Sequence, residues 1–236
     1  MEISNFQNGD EAAKASGLEL SKLIDEANSP VLLLVSAGSA LKVLDYTDPI
    51  FDGREKVDIT VSVLDERFSD DPSINNFELL RRTGFYNRTS KAGVKFTSVD
   101  VIGGGNLESF ARRIENNLKT WVEENPAGKI FVTLGMGADG HTAGIMPFPE
   151  DEELFKELFE SDAWVVGYDG GKKSKYRLRA TVTNTFLKNK VDGAVGYVVG
   201  EEKKEKFEQT QTQGSVAEIP ARVWQRVKNL KVFTDL

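Results

Sequence analysis

The chain has 236 residues, 30 Lys plus Arg, 37 Asp plus Glu and a formal net charge of −7; phosphate-backbone binding needs a large basic surface, so nucleic acid is not expected as a partner. It has no cysteine and a single histidine, which excludes disulfides, thiolate nucleophiles, Cys-based zinc sites and His-rich metal centres. Hydrophobic content of 39% with 14 phenylalanines is enough for a substantial core, and the length fits one α/β domain over residues 1–236.

Met1–Phe6 is polar and shows no secretory leader, and no apolar stretch reaches the length of a membrane span, so a soluble cytoplasmic protein is expected. Ala12, Ala13, Leu20, Leu23, Ile24 and Ala27 predict a helix over 9–28, ending near Asn28-Ser29-Pro30. Val31–Val35 is a continuous apolar run with the pattern of a buried parallel strand. Ala37-Gly38-Ser39 turns the chain into a short helix, with Pro49 beyond it. Val57–Val63 alternates as a strand and runs into Asp65-Glu66-Arg67. Residues 75–83 read as helix, and Lys95–Ile102 as a strand closed by Gly103-Gly104-Gly105. Leu107, Phe110, Ile114, Leu118, Trp121 and Val122 mark an amphipathic helix over 106–124. A strand follows at 129–134, then a helix around 150–160 and strands at 163–166, 179–183 and 194–199. A charged helix after Gly200, a helix over 220–229 and a strand at Lys231–Phe233 complete the chain. Strands alternating with helices predict an α/β fold: a three-layer αβα arrangement around a mostly parallel, Rossmann-like sheet.

The one histidine, His141, stands in Leu134-Gly-Met-Gly-Ala-Asp-Gly-His-Thr142, after an apolar strand and a glycine-rich turn. Imidazole is the side chain whose ordinary pKa lies near neutrality, and α/β enzymes present such groups at the carboxyl edge of the sheet. Gly135, Gly137 and Gly140 also spell the dinucleotide pattern G-x-G-x-x-G. Pro147 and Pro149 interrupt the long helix that such a pattern must open, so no nicotinamide or flavin cofactor is expected. Ala37-Gly38-Ser39 joins a buried strand to a helix, where free N–H groups and the dipole make a seat for an anion. Asp65-Glu66-Arg67 lies at the same predicted edge, and Arg179 and Lys203 could converge with Ser39 on one phosphate. Gly170-Gly-Lys-Lys-Ser-Lys175 reads as an exposed loop; whether Lys172, Lys173 and Lys175 touch a substrate is left open.

These motifs, in this order, resemble the 6-phosphogluconolactonase family within the group that includes glucosamine-6-phosphate deaminases. The likeness runs from Val31 to about Trp224. Leu134–Ala143 with Pro147 is close to the lactonase signature; Asp65-Glu66-Arg67 with Asn76, Arg179–Thr183, Gly200-Glu-Glu-Lys203 and Pro220-Ala221 match the others. The chain departs from the family at Ala37, at Ala40-Leu41, at Phe68-Ser69 and at Asn75. Deaminases carry Glu five residues after the histidine and Asp-Glu-Tyr in the second motif; Met146 and Arg67 stand there instead, which favours the lactonase.

The resemblance implies a sugar-phosphate isomerase/CoA-transferase-like sheet and hydrolysis of 6-phospho-D-glucono-1,5-lactone. His141 would activate water, Asp139 would orient the imidazole, and Arg67 or glycine N–H groups of the 135–140 loop would stabilise the oxyanion. Gly38, Ser39, Asp65, Gly137, Arg179 and Lys203 would bind the sugar phosphate. No metal or organic cofactor is implied, the partner is a small sugar phosphate, and monomer and homodimer both remain open. The alternatives are a deaminase and a non-catalytic sugar-phosphate binder of the same fold.

Overall fold

The computed structural model describes residues 1–48, 58–98, 101 and 105–236. Pro49, Val57, and residues 99–100 and 102–104 of the expected strand and glycine turn lie outside the described residues. The chain opens with strand β1 (Glu2–Asn5) and helix α1 (Gly9–Glu26). The Asn8 side chain starts α1 by accepting from the N–H groups of Asp10 and Glu11, both at 3.0 Å, and these two acids face the positive end of the helix dipole. Strand β2 (Val31–Val35), a 3-10 stretch at Gly38–Tyr46, β3 (Ile59–Val63) and β4 (Asp65–Arg67) follow. Next come α2 (Asn76–Arg81), α3 (Gly84–Lys91), β5 (Lys95–Phe96), α4 (Leu107–Glu124) and β6 (Lys129–Gly135). Helix α5 (Glu152–Phe159), β7 (Val165–Asp169), β8 (Leu178–Val182), α6 (Asn184–Asn189) and β9 (Gly193–Val198) lead to α7 (Lys204–Thr210). A 3-10 stretch at Pro220–Arg226 and β10 (Leu230–Thr234) end the chain.

Among the described residues seven strands form one sheet in the order β1-β10-β9-β6-β2-β3-β5, every pair parallel. Strand β2 lies inside the sheet, between β6 and β3. All five residues are buried, and alternation sends Val31, Leu33 and Val35 to one core and Leu32 and Leu34 to the other. The first core is completed by Ala12, Ala13, Leu20 and Ile24 of α1 and by Phe85 of α3. The second takes Phe110 and Leu118 of α4, Phe186 of α6 and Trp224. Helices therefore cover both faces, the three-layer arrangement expected from the sequence. No helix among the described residues is long and apolar enough to cross a membrane.

A second sheet was not foreseen. Strands β4, β8 and β7 pair antiparallel, so Asp65-Glu66-Arg67 is itself a strand, and the strands near 163–166 and 179–183 do not belong to the parallel sheet. Strand β1 and helices α3 and α6 were also unforeseen, and the expected helix over 220–229 is the shorter 3-10 stretch.

The chain runs from β2 outward to β3 and β5, then crosses back to β6 on the other side of β2 and continues outward through β9 and β10. The loops after β2 and β6 thus diverge, and such a reversal leaves a crevice at the carboxyl ends of the strands. Ser36 cross-links the two strand ends: its N–H donates to Thr133 Oγ1 at 3.0 Å, and its Oγ accepts from Gly135 N–H at 3.4 Å.

Candidate active site

A cavity of about 240 Å³ occupies this crevice. Of the residues singled out in the sequence, Gly38, Ser39, Asp65, Arg67, Gly137, His141, Arg179 and Lys203 line it. Asp139 stands behind the histidine and reaches the site through it.

The His141 loop is held from within and from below. Gly137 N–H donates to His141 O and Gly140 N–H to Gly137 O, each at 3.0 Å. Thr142 Oγ1 donates to Gly135 O at 2.8 Å and accepts from the buried Trp224 indole at 3.0 Å. Ala221 N–H donates to Gly140 O at 3.0 Å, so the Pro220-Ala221 segment braces the loop from the far end of the chain. The N–H groups of Gly137 and Gly140 are spent on the turn. This corrects the expectation that they stabilise an oxyanion.

Asp139 Oδ1 lies 2.6 Å from His141 Nδ1 and also accepts from the His141 N–H at 3.1 Å. Partial burial alone would raise the Asp139 carboxyl, but the hydrogen bonds and charge of His141 outweigh it and hold the pKa below the usual carboxylate range. An ionised carboxylate can only accept. Nδ1 therefore carries the hydrogen, which leaves Nε2 with its lone pair as the basic nitrogen. Gly137 makes this geometry possible: a Cβ there would lie 2.2 Å from His141 Cε1 and Nδ1 and 2.7 Å from Asp139 Oδ1.

Cations gather on the other walls. Strands β4 and β8 place Arg67 directly opposite Arg179. Asp65 Oδ2 accepts from Arg179 Nη2 at 2.5 Å, and Asn76 Nδ2 donates to the same oxygen at 3.0 Å, so the Asp65 carboxylate is engaged within the wall. Burial alone would lower the Arg179 pKa; the Asp65 charge and hydrogen bond outweigh it and keep the guanidinium protonated. Burial lowers the Arg67 pKa from the ordinary guanidinium value, and the opposing Arg179 charge adds to that. Arg67 Nη1 donates to the Ile74 carbonyl.

Lys203 arrives from the far side. Gly200 adopts φ +101°, a turn open to glycine, and Lys203 N–H closes onto Gly200 O at 3.0 Å. The turn brings Lys203 Nζ within 3.4 Å of Ser39 Oγ. Burial depresses the Lys203 pKa, with Glu202 and Asp235 offsetting part of the effect. Among the described residues no side chain caps the 3-10 stretch that begins at Gly38, and Gly38 and Ser39 line the cavity together with these cations.

The remaining candidates lie elsewhere. Lys173 pairs with Glu150 and sits 4.9 Å over the Phe148 ring, Lys175 lies 5.2 Å over the Tyr176 ring, and Lys172 is in the 3-10 turn Gly171–Lys173. Met146 is buried in the cluster with Ile145, Phe148, Phe155 and Phe159. Among the described residues no group of three or more His, Asp or Glu is arranged to hold a metal ion.

Sequence reasoning missed two roles. Glu66 is not a site charge: its oxygens accept from the N–H groups of Arg67 at 2.7 Å, Asn76 at 2.6 Å and Phe77 at 2.8 Å, fixing the start of α2 against β4. Burial pushes its carboxyl up to about 7 against these three donors. Trp224 braces Thr142 across 82 residues, which no local pattern signals.

The fold is similar to several solved structures. A 6-phosphogluconolactonase from Plasmodium vivax has a TM-score of 0.76 at 16% identity, covering 98% of this chain and 89% of that one. One from Trypanosoma cruzi has a TM-score of 0.75 at 15% identity, covering 99% and 93%. One from Shewanella baltica has a TM-score of 0.71 at 19% identity, covering 99% and 96%. No curated protein matches the sequence. The model of the family described as glucosamine-6-phosphate isomerases/6-phosphogluconolactonase matches residues 9–233, and the chain belongs to that family.

Proposed function

We propose that the protein hydrolyses 6-phospho-D-glucono-1,5-lactone to 6-phosphogluconate, a step of the pentose phosphate pathway. The observation that carries this reading is the pairing of His141 with Asp139 in a cleft that also holds Arg67, Arg179 and Lys203. A lactone is a cyclic ester, so hydrolysis needs a base for water, a stabiliser for the oxyanion and a proton for the leaving ring oxygen. His141 Nε2 takes a proton from water as the water oxygen attacks C1. The C1 carbonyl becomes an oxyanion, which the Arg67 guanidinium stabilises. The intermediate then collapses, the bond from C1 to the ring oxygen breaks, and His141 returns the proton to that oxygen. The new carboxylic acid loses its proton to solvent at neutral pH.

The 6-phosphate sits against Gly38, Ser39, Arg179 and Lys203, with Asp65 holding Arg179 in place and Gly137 leaving room for the imidazole. This anchor is remote from C1, so its binding energy serves to position the ring. Buried Met146, standing where a deaminase carries a carboxylate, favours the lactonase over the deaminase.

The test is lactone hydrolysis by the purified protein, corrected for the spontaneous reaction. The expected result is turnover that falls at least about a hundredfold in His141→Asn, with no ammonia released from glucosamine 6-phosphate. Hydrolysis no faster than the background overturns the proposal.

A further inference from the structure

The two cleft arginines are bound from one side by the loop between β7 and β8. The Arg67 guanidinium carbon lies 4.3 Å from the centre of the Tyr176 ring. Arg179 Nη1 donates to Ser174 Oγ at 3.0 Å. Ser174 Oγ in turn donates to Tyr176 O at 2.9 Å and accepts from Tyr176 N–H at 3.3 Å. Gly170 N–H closes the loop onto Arg177 O at 2.8 Å. The ring and the hydroxyl are thus parts of one small turn.

Arg67 needs such support. It stands opposite a like charge, and like charges directly opposed on neighbouring strands repel. The Asp65 charge attracts Arg67 more than the Arg179 charge repels it, but the Asp65 carboxylate is hydrogen-bonded to Arg179 and so does not orient the Arg67 guanidinium. Among the described residues no ion pair holds Arg67, and its buried Nε has no hydrogen-bond partner. Among the described residues the Ile74 carbonyl and the Tyr176 face fix the plane of the guanidinium. A π face attracts a cation without neutralising it, so Arg67 keeps its full charge for a ligand.

We propose that Tyr176 is a positioning residue: its ring, half-buried in the loop that also carries Ser174, holds the Arg67 guanidinium in the orientation that meets the anionic sugar phosphate or its oxyanion. The proposal rests on the functional reading given above. It assigns Tyr176 no contact with the substrate. Because the attraction needs a ring and not a hydroxyl, Phe must serve in place of Tyr, whereas an aliphatic side chain of similar bulk must not.

The experiment compares Tyr176→Leu, Tyr176→Phe, Arg67→Gln and the double variant Tyr176→Leu/Arg67→Gln. It measures kcat and KM for the lactone and, by calorimetry, the affinity for 6-phosphogluconate. Tyr176→Leu is expected to lose roughly three- to thirtyfold in kcat/KM, the range a cation–π contact spans. Tyr176→Phe is expected to restore it. The loss is expected to fall below about twofold when Arg67 is already Gln, because interacting residues are not additive. A merely structural role for Tyr176 would reduce activity equally in both backgrounds, and that result overturns the proposal. So does a Phe variant as impaired as Leu, or a Leu variant like wild type. If the wild type binds 6-phosphogluconate but does not hydrolyse the lactone, the functional reading fails, and the same pattern in affinity decides the role of Tyr176. A wild type that does neither overturns both.

Discussion

Replacing Gly137 by alanine tests the catalytic geometry with one added methyl group. Its Cβ would fall 2.2 Å from two atoms of the His141 ring and 2.7 Å from Asp139 Oδ1, well inside van der Waals contact. The ring must move by about 1 Å or more to relieve this, and the 2.6 Å bond between Nδ1 and Asp139 Oδ1 cannot survive that shift. The obstructing atoms belong to side chains that are themselves 37% and 45% exposed, so they can swing toward solvent at little cost to folding. Stability should change by less than about 1 kcal/mol, the ordinary range for a surface change. Turnover should fall about a hundredfold, as a displacement of about 1 Å at a reacting group can cause. Affinity for 6-phosphogluconate should hold within a few-fold, because the cations of the phosphate seat lie on other loops. The assay is steady-state lactone hydrolysis beside a urea unfolding curve. A further variant, Gly137→Ala with His141→Asn, should be no slower than His141→Asn alone, since both changes remove the same base. Near-wild-type turnover in Gly137→Ala, or additive losses in the double variant, would refute the role given to the His141–Asp139 pair.

Two further outcomes are expected. Lys203→Ala should mainly raise KM, because the ammonium beside Ser39 acts on the bound phosphate in ground and transition states alike; Arg179→Ala should do so too and also lower stability by about 3 kcal/mol, since it leaves the buried Asp65 charge without its partner. Unchanged KM in both variants would misplace the phosphate seat. Glu66 should make stability depend on pH. Its carboxyl, raised from 4.5 to about 7, binds a proton more tightly folded than unfolded, so its favourable contribution is present below about 4.5 and is lost as pH rises through 7. The full change is about 3 kcal/mol, and urea unfolding at pH 5 and pH 8 should show wild type losing stability relative to Glu66→Gln. Parallel pH profiles for the two proteins would contradict this.

Much of the central layer was legible residue by residue. Val31–Val35 could hardly be other than a strand buried on both faces, and the spacing of Phe110, Ile114 and Leu118 marks one side of α4. The His141 loop was legible for another reason. Its parts are neighbours in the chain, so Gly137, Asp139 and His141 carry their mutual geometry in a five-residue turn closed by its own hydrogen bonds. The cluster of Gly38, Ser39, Arg179 and Lys203 in the cleft was legible only as a set of residues, each at a strand or helix end. Which of them meet was settled by the sheet order.

Local pattern reports what a segment buries. It is silent on which distant segment lies across from it. Strand β4 is three charged residues with no apolar alternation, and its partner β8 follows more than 100 residues later, so nothing near Asp65 announces a second sheet. The same holds for the Asp65–Arg179 pair, the Trp224 brace under Thr142 and the Tyr176 ring over Arg67. A parallel α/β sheet, its buried strands and a histidine turn at its carboxyl edge can be read from the residue order, because each follows from forces between near neighbours. The antiparallel wall that lines the histidine's cleft with two arginines emerges with the folded chain, because long-range pairing depends on how the whole chain packs.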